Sequence, residues 1–231
     1  MKQILMTVLC AVMLMSFPCA SMATEAYRID DTFSSHSLGN SIEYIEDPGG
    51  TLSLEDVQRR SDWRQSEKDA FNFGFTESTY WFRFTLDNRS QRDMFFLELT
   101  YPMLDLIKLY RPNENGEYVE YETGDLLPFS HREVEHVSFV FRIQQKTGKA
   151  NQYYFKIKTS SSFNFSVKLY SQASFFSKLN SEQPVIWIFY GLMIIMVVYN
   201  FIIFLSSRDV GYLFYSIFIS TWIVLQMCLN G

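Results

Sequence analysis

The chain has 231 residues, 48 % of them hydrophobic and 17 % aromatic, and a formal net charge of −5. A mildly acidic balance argues against nucleic acid or another polyanion as the partner. All three cysteines (Cys10, Cys19, Cys228) lie in the apolar end segments, which excludes thiol catalysis and a cysteine-based zinc site from the polar middle of the chain.

Residues 1–23 read as a secretory signal. Lys2 precedes an apolar run from Ile4 to Phe17, and Ser21-Met22-Ala23 offers small residues for cleavage before Thr24. The run is shorter than the ~20 apolar residues of a membrane span, so an uncleaved anchor is the lesser reading. Phe17-Pro18 ahead of Cys19 makes a poor lipoprotein signal.

From Ser41 to Tyr170 short alternating segments succeed one another. Segment 41–47 alternates and breaks at Pro48-Gly49-Gly50, and Ser53 with Asp56 forms the pattern of a capping box before a short helix over 54–60. Eight further segments (71–75, 79–86, 94–101, 104–111, 117–123, 137–143, 152–159 and 163–170) carry the two-residue period of strands, separated by turn residues such as Pro102 and Gly124. Nine strands at this spacing predict a mainly β, antiparallel jelly roll or β-sandwich over 24–170.

Residues 171–183 read as a membrane-proximal linker, with Ser181 as N-cap and Pro184 in the first turn of the first apolar helix. Then 185–205 and 210–229 are uncharged, and Ser206-Ser-Arg-Asp209 joins them, which predicts a transmembrane hairpin within 184–231. With a cleaved signal, the β domain lies outside the cytoplasm and Arg208 inside. Trp187 and Tyr190 fall at the outer interface, where amphipathic rings settle.

Little in the polar segment suggests catalysis. His131, Glu133, Glu135 and His136 do not share one face of a strand or a helix, so this stretch reads as a solvated acidic loop rather than a metal site. Glu43, Glu46 and Asp47 are too common a grouping to mark a glycosidase pair. No nucleophile elbow, zinc-protease or phosphate-loop motif occurs, so neither an enzyme nor a cofactor is expected. Aromatics are the enrichment that stands out. In Thr79–Asp87, Tyr80, Phe82 and Phe84 share one face, expected to be core, while Trp81 and Arg83 share the other. That second face suits either packing or a sugar platform.

The order of parts resembles the bacterial seven-transmembrane receptors with diverse intracellular signalling modules. The residues that carry the likeness are Asn72-Phe-Gly-Phe75, Tyr80-Trp-Phe-Arg83, Leu97-Glu-Leu-Thr-Tyr-Pro102, Leu104-Asp105 and Leu109-Tyr110. In the membrane part they are Tyr199-Asn200, Ser207-Arg-Asp209, Tyr212, Tyr215 and Asn230-Gly231. The resemblance implies a type 2 extracellular sensor akin to carbohydrate-binding modules, joined to the first two spans of a seven-helix region. It also implies a cytoplasmic output module such as a diguanylate cyclase or histidine kinase, and truncation is the expected reason that this chain has neither that module nor the other five spans. The expected function is periplasmic sensing of a small ligand such as a carbohydrate, at Trp81 and Arg83 with Trp63 and Tyr101 as weaker candidates. The expected setting is the bacterial inner membrane, with lipid around the helices and a homodimer as a further expected partner. The alternative is a membrane-tethered interaction protein with an envelope-protein partner and no small ligand.

Overall fold

Alternation in the sequence becomes two facing sheets in the computed structural model, which describes residues 26–229. The signal at 1–23 lies outside the described residues. Seven strands form the first sheet: β1 (Tyr27–Ile29), β3 (Glu43–Asp47), β4 (Arg64–Gln65), β6 (Thr79–Asn88), β8 (Leu106–Pro112), β9 (Tyr118–Thr123) and β11 (Ala150–Lys158). Five form the second: β2 (Ser35–Ser37), β5 (Ala70–Phe75), β7 (Met94–Leu99), β10 (Phe139–Gln144) and β12 (Ser162–Ser171). The first runs β4-β3-β6-β11-β8-β9 with β1 parallel to the end of β6; the second runs β10-β7-β12-β2, with β5 also on β12. Every pairing except that of β1 is antiparallel. The fold is thus the expected antiparallel sandwich. β1, β2 and β4 went unpredicted because two or three residues are too few to show a period.

The core lies between the sheets and is largely aromatic. Tyr80, Phe82 and Phe84 of β6 point into it as expected, exposed by 6 %, 1 % and 1 %. Phe71, Phe82 and Phe165 meet edge-on or stacked at 4.9–5.3 Å between ring centres, each such pair contributing about 0.5–1.5 kcal/mol beyond burial.

Helix α1 (Leu54–Arg59) begins with the predicted box: Ser53 Oγ accepts from Asp56 N–H and the Asp56 carboxylate accepts from Ser53 N–H. It lies over the outer face of the first sheet and buries Val57 there.

The linker expectation needs correction. Helix α2 (Gln172–Ser207) starts directly after β12, capped by Ser171 rather than Ser181, and runs 36 residues, or about 54 Å. Phe175 and Leu179, one turn apart, give its first turns an apolar stripe, and that stripe packs on the outer face of the second sheet against Phe96, Val140 and Tyr170. Ser181 Oγ instead donates to the carbonyl of Lys178, as a serine inside a helix does, and Pro184 sits in the helix interior. After Arg208, in the left-handed region at φ 59°, helix α3 (Val210–Leu229) returns alongside α2. Both helices are long and apolar enough to cross a membrane.

Candidate functional site

Three places collect polar or ligand-sized features, and the residues singled out in the sequence occupy the first. Strand pairing sets Glu43 opposite Arg83 and Ile45 opposite Trp81, with Tyr154 and Lys156 on the other side of β6. Trp63 reaches the same patch: the Arg83 guanidinium lies 4.3 Å from the centre of its ring. Arg83 is ion-paired with Glu43. So Trp63, Trp81 and Arg83 come together.

Trp81, however, has no exposed surface. Val57 of α1 plugs the patch, Tyr110 stacks on the indole at 5.5 Å, and the Lys156 ammonium stands 5.1 Å from its centre while donating to the carbonyls of Gly50 and Leu52. Burial pushes the Lys156 amine below its usual value. The reason Trp81 is not an open platform is the 48–63 excursion, which the sequence pattern marks as helix and turn without saying where it docks. Trp63 and Arg83 stay half-buried, and the indole N–H groups of Trp63 and Trp81 have no hydrogen-bond partner among the described residues. Tyr101 stands apart, after β7, packed on the main core with its hydroxyl 3.8 Å from Met103 Sδ.

The second place is a cleft of about 460 Å³ beside edge strands β9 and β10, one from each sheet. Arg111, half-buried, donates to both Glu133 oxygens (2.9 and 3.1 Å) and to the carbonyl of Arg142 (2.8 Å), while Glu133 accepts from the backbone N–H of Arg142. At Arg142 the free edge of β10 is thereby satisfied by side chains. Gln144, Asn151, Lys149 and the Arg142 side chain add donors and acceptors around the opening. Tyr153 forms its floor, its hydroxyl given to Gln145 Oε1 and burial pushing its pKa up to about 12.

The third place is the joint between the β domain and α2. Lys178 of α2 reaches both oxygens of Glu98 at 2.7 Å, and Glu98 is 2 % exposed. Phe175 stacks on Phe96 at 4.6 Å. His136 lies 6.1 Å from the Phe175 ring and its Nδ1 accepts from Ser138 N–H; burial lowers its pKa against the opposing pull of Glu98. The 131–136 stretch is therefore held at Glu133 by Arg111 and lies at His136 against Phe175 of the helix, and is not the freely solvated loop the sequence suggested.

Sequence reasoning missed the roles of Arg111, Glu98 and Lys178, and placed Glu133 in a solvated loop. One signal was legible: Glu98 sits in mid-strand within Phe95-Phe-Leu-Glu-Leu99, where a lone carboxylate needs a partner from elsewhere.

Comparison with known proteins gives two matches to family descriptions: "7TMR-DISM extracellular 2" over residues 39–171 and "7TM diverse intracellular signalling" over 182–231. No curated protein matches the chain. Among solved structures, a candidate β-galactosidase from Bacteroides fragilis is similar at 12 % identity and TM-score 0.37, over 59 % of this chain and 23 % of that one. The structure of TmCBM61 with β-1,4-galactotriose is similar at 12 % identity and TM-score 0.29, over 59 % and 84 %. CpGH89CBM32-6, produced by Clostridium perfringens, is similar at 13 % identity and TM-score 0.24, over 56 % and 93 %. None of these scores carries over a ligand or a site. The two family matches succeed each other along the chain as the β domain and the apolar helices do, and the chain belongs to the seven-transmembrane receptors with diverse intracellular signalling, as a membrane protein with that family's second type of extracellular domain.

Proposed function

We propose that the β domain senses a small polar ligand, of the carbohydrate class, in the cleft between β9 and β10, and relays occupancy to helix α2. The supporting observation is that one segment, 129–137, borders both the cleft, through Glu133, and the helix joint, through His136. A ligand that displaces the Arg111–Glu133 pairing moves the same segment that seats Phe175. It shifts the receptor only in so far as it binds one position of that segment better than the other. The guanidinium, amide and ammonium groups around the opening suit hydroxyl-rich molecules, and the cleft volume lies within the usual range for small-ligand sites, about 300–1,000 Å³. The proposed setting is the inner membrane, with the β domain in the periplasm.

A saccharide against Trp63 and Arg83 is the second site reading, favoured by the half-buried Trp63 ring and the Arg83 guanidinium 4.3 Å from its centre. The partner-protein reading rests on Phe75 and Leu126, exposed by 82 % and 77 % on the β domain. A thermal-shift screen of the full chain in lipid nanodiscs against a broad set of soluble oligosaccharides separates these. Stabilisation that Arg142→Ala with Asn151→Ala abolishes supports the cleft, and loss only on Trp63→Ala moves the site to the outer face. Silence across the set with a folded protein sinks carbohydrate sensing.

A further inference from the structure

A groove of about 510 Å³ runs between the β domain and the helix pair. Ile186 and Ile194 of α2, Ile223 and Met227 of α3, and Phe129 and Val137 of the β domain make its walls apolar. Its rim is polar and acidic, with Glu135, Glu182 and Gln183. The α2 wall belongs to the apolar run that begins at Val185 and the α3 wall to the end of the run over 210–229, and the rim falls where α2 turns polar. An apolar trough with one polar end at this height fits an amphiphile at the outer membrane–water boundary.

The rim charges select the headgroup. Glu135 makes no ion pair among the described residues. Glu182 approaches only Lys178, at 3.9 Å, and that ammonium already serves Glu98 at 2.7 Å. Arg132, close in sequence, donates to the carbonyls of His136 and Val137 and lies over the Phe129 and Phe139 rings. His136, also on the rim, is half-buried and held by Ser138. Among the described residues the rim thus offers Glu135 without a cation and Glu182 sharing one with Glu98.

We propose that this groove binds one outer-leaflet phospholipid with a primary ammonium headgroup. An acyl chain lies against the isoleucines, the ammonium meets Glu135 and Glu182, and the Gln183 amide is available to the phosphate. Because both β domain and helices wall the groove, the lipid stabilises their docked arrangement. This site is independent of the cleft.

The test is native mass spectrometry of the full chain released from membranes containing phosphatidylethanolamine and phosphatidylglycerol in equal amounts. One retained phosphatidylethanolamine is expected, favoured several-fold over phosphatidylglycerol. Glu135→Gln with Glu182→Gln, both at exposed carboxylates, should keep the lipid but remove the preference. Ile194→Trp, which fills the groove, should abolish retention, with circular dichroism confirming a folded chain. No retained lipid, or equal retention of both headgroups in the unaltered protein, overturns the proposal. So does retention of none together with a dimer that Ile194→Trp dissolves, which makes the groove a contact between copies.

Discussion

Glu98 and Lys178 join the second sheet to helix α2 with two contacts of 2.7 Å, the carboxylate almost fully buried and the ammonium partly wetted. The pair fixes the helix along the sheet, since a register shift of either element would leave Glu98 buried without a cation. Removing one member is predicted to cost more than removing both. Lys178→Met should destabilise the chain by about 3 kcal/mol, while Lys178→Met with Glu98→Leu should recover most of that. Thermal unfolding of the chain in nanodiscs reads both, and a double variant as unstable as the single one refutes the assignment.

Phe175 is the apolar half of the same joint, fully buried and stacked on Phe96 at an interplanar angle of 9°. Phe175→Ala is predicted to cost about 3–5 kcal/mol of docking. The loss should be local. Amide hydrogen exchange over residues 172–180 should accelerate while that of β6 and β11 stays slow.

His136 makes the joint sensitive to acid. Its pKa in the folded chain lies below its ordinary value of 6.5, because burial disfavours the imidazolium. Above pH 6.5 both folded and unfolded chains hold it neutral and the stability is complete. As the pH falls through 6.5 toward the folded value, the unfolded state takes up the proton first. Stability then declines by at most about 1.4 kcal/mol per pH unit. The melting temperature should drop between pH 7.5 and 5.5 in the unaltered chain, and drop less in His136→Asn.

Trp81 is predicted to act as packing. Trp81→Ala should cost about 3–5 kcal/mol through the cavity it leaves under α1, whereas Trp81→Phe, which removes the unpartnered N–H, should cost much less. If Trp81→Phe keeps the fold and loses saccharide binding while Arg142→Ala does not, the ligand lies under α1.

Much of the architecture was legible along the chain because its signals are local. The nine longer strands showed their two-residue period, and Ser53 with Asp56 announced α1. The start of α2 was misread because Ser181 and Pro184 imitate a helix entry. The residues before them look polar until the sheet supplies Phe96 and Tyr170 for Phe175 and Leu179 to cover.

By itself the sequence determined the two faces of β6, the apolar helices and the order of parts that marks the family, since periodicity and length need no knowledge of distant neighbours. Only the tertiary structure decided what those faces meet. The 48–63 excursion closes over Trp81, leaving Trp63 and Arg83 half-open. Residues 22 and 31 positions apart close the cleft around Arg111, and residues 80 apart lock the helix through Glu98 and Lys178. Contacts between residues so far apart leave no periodic trace, because each depends on how two separately formed elements are brought side by side.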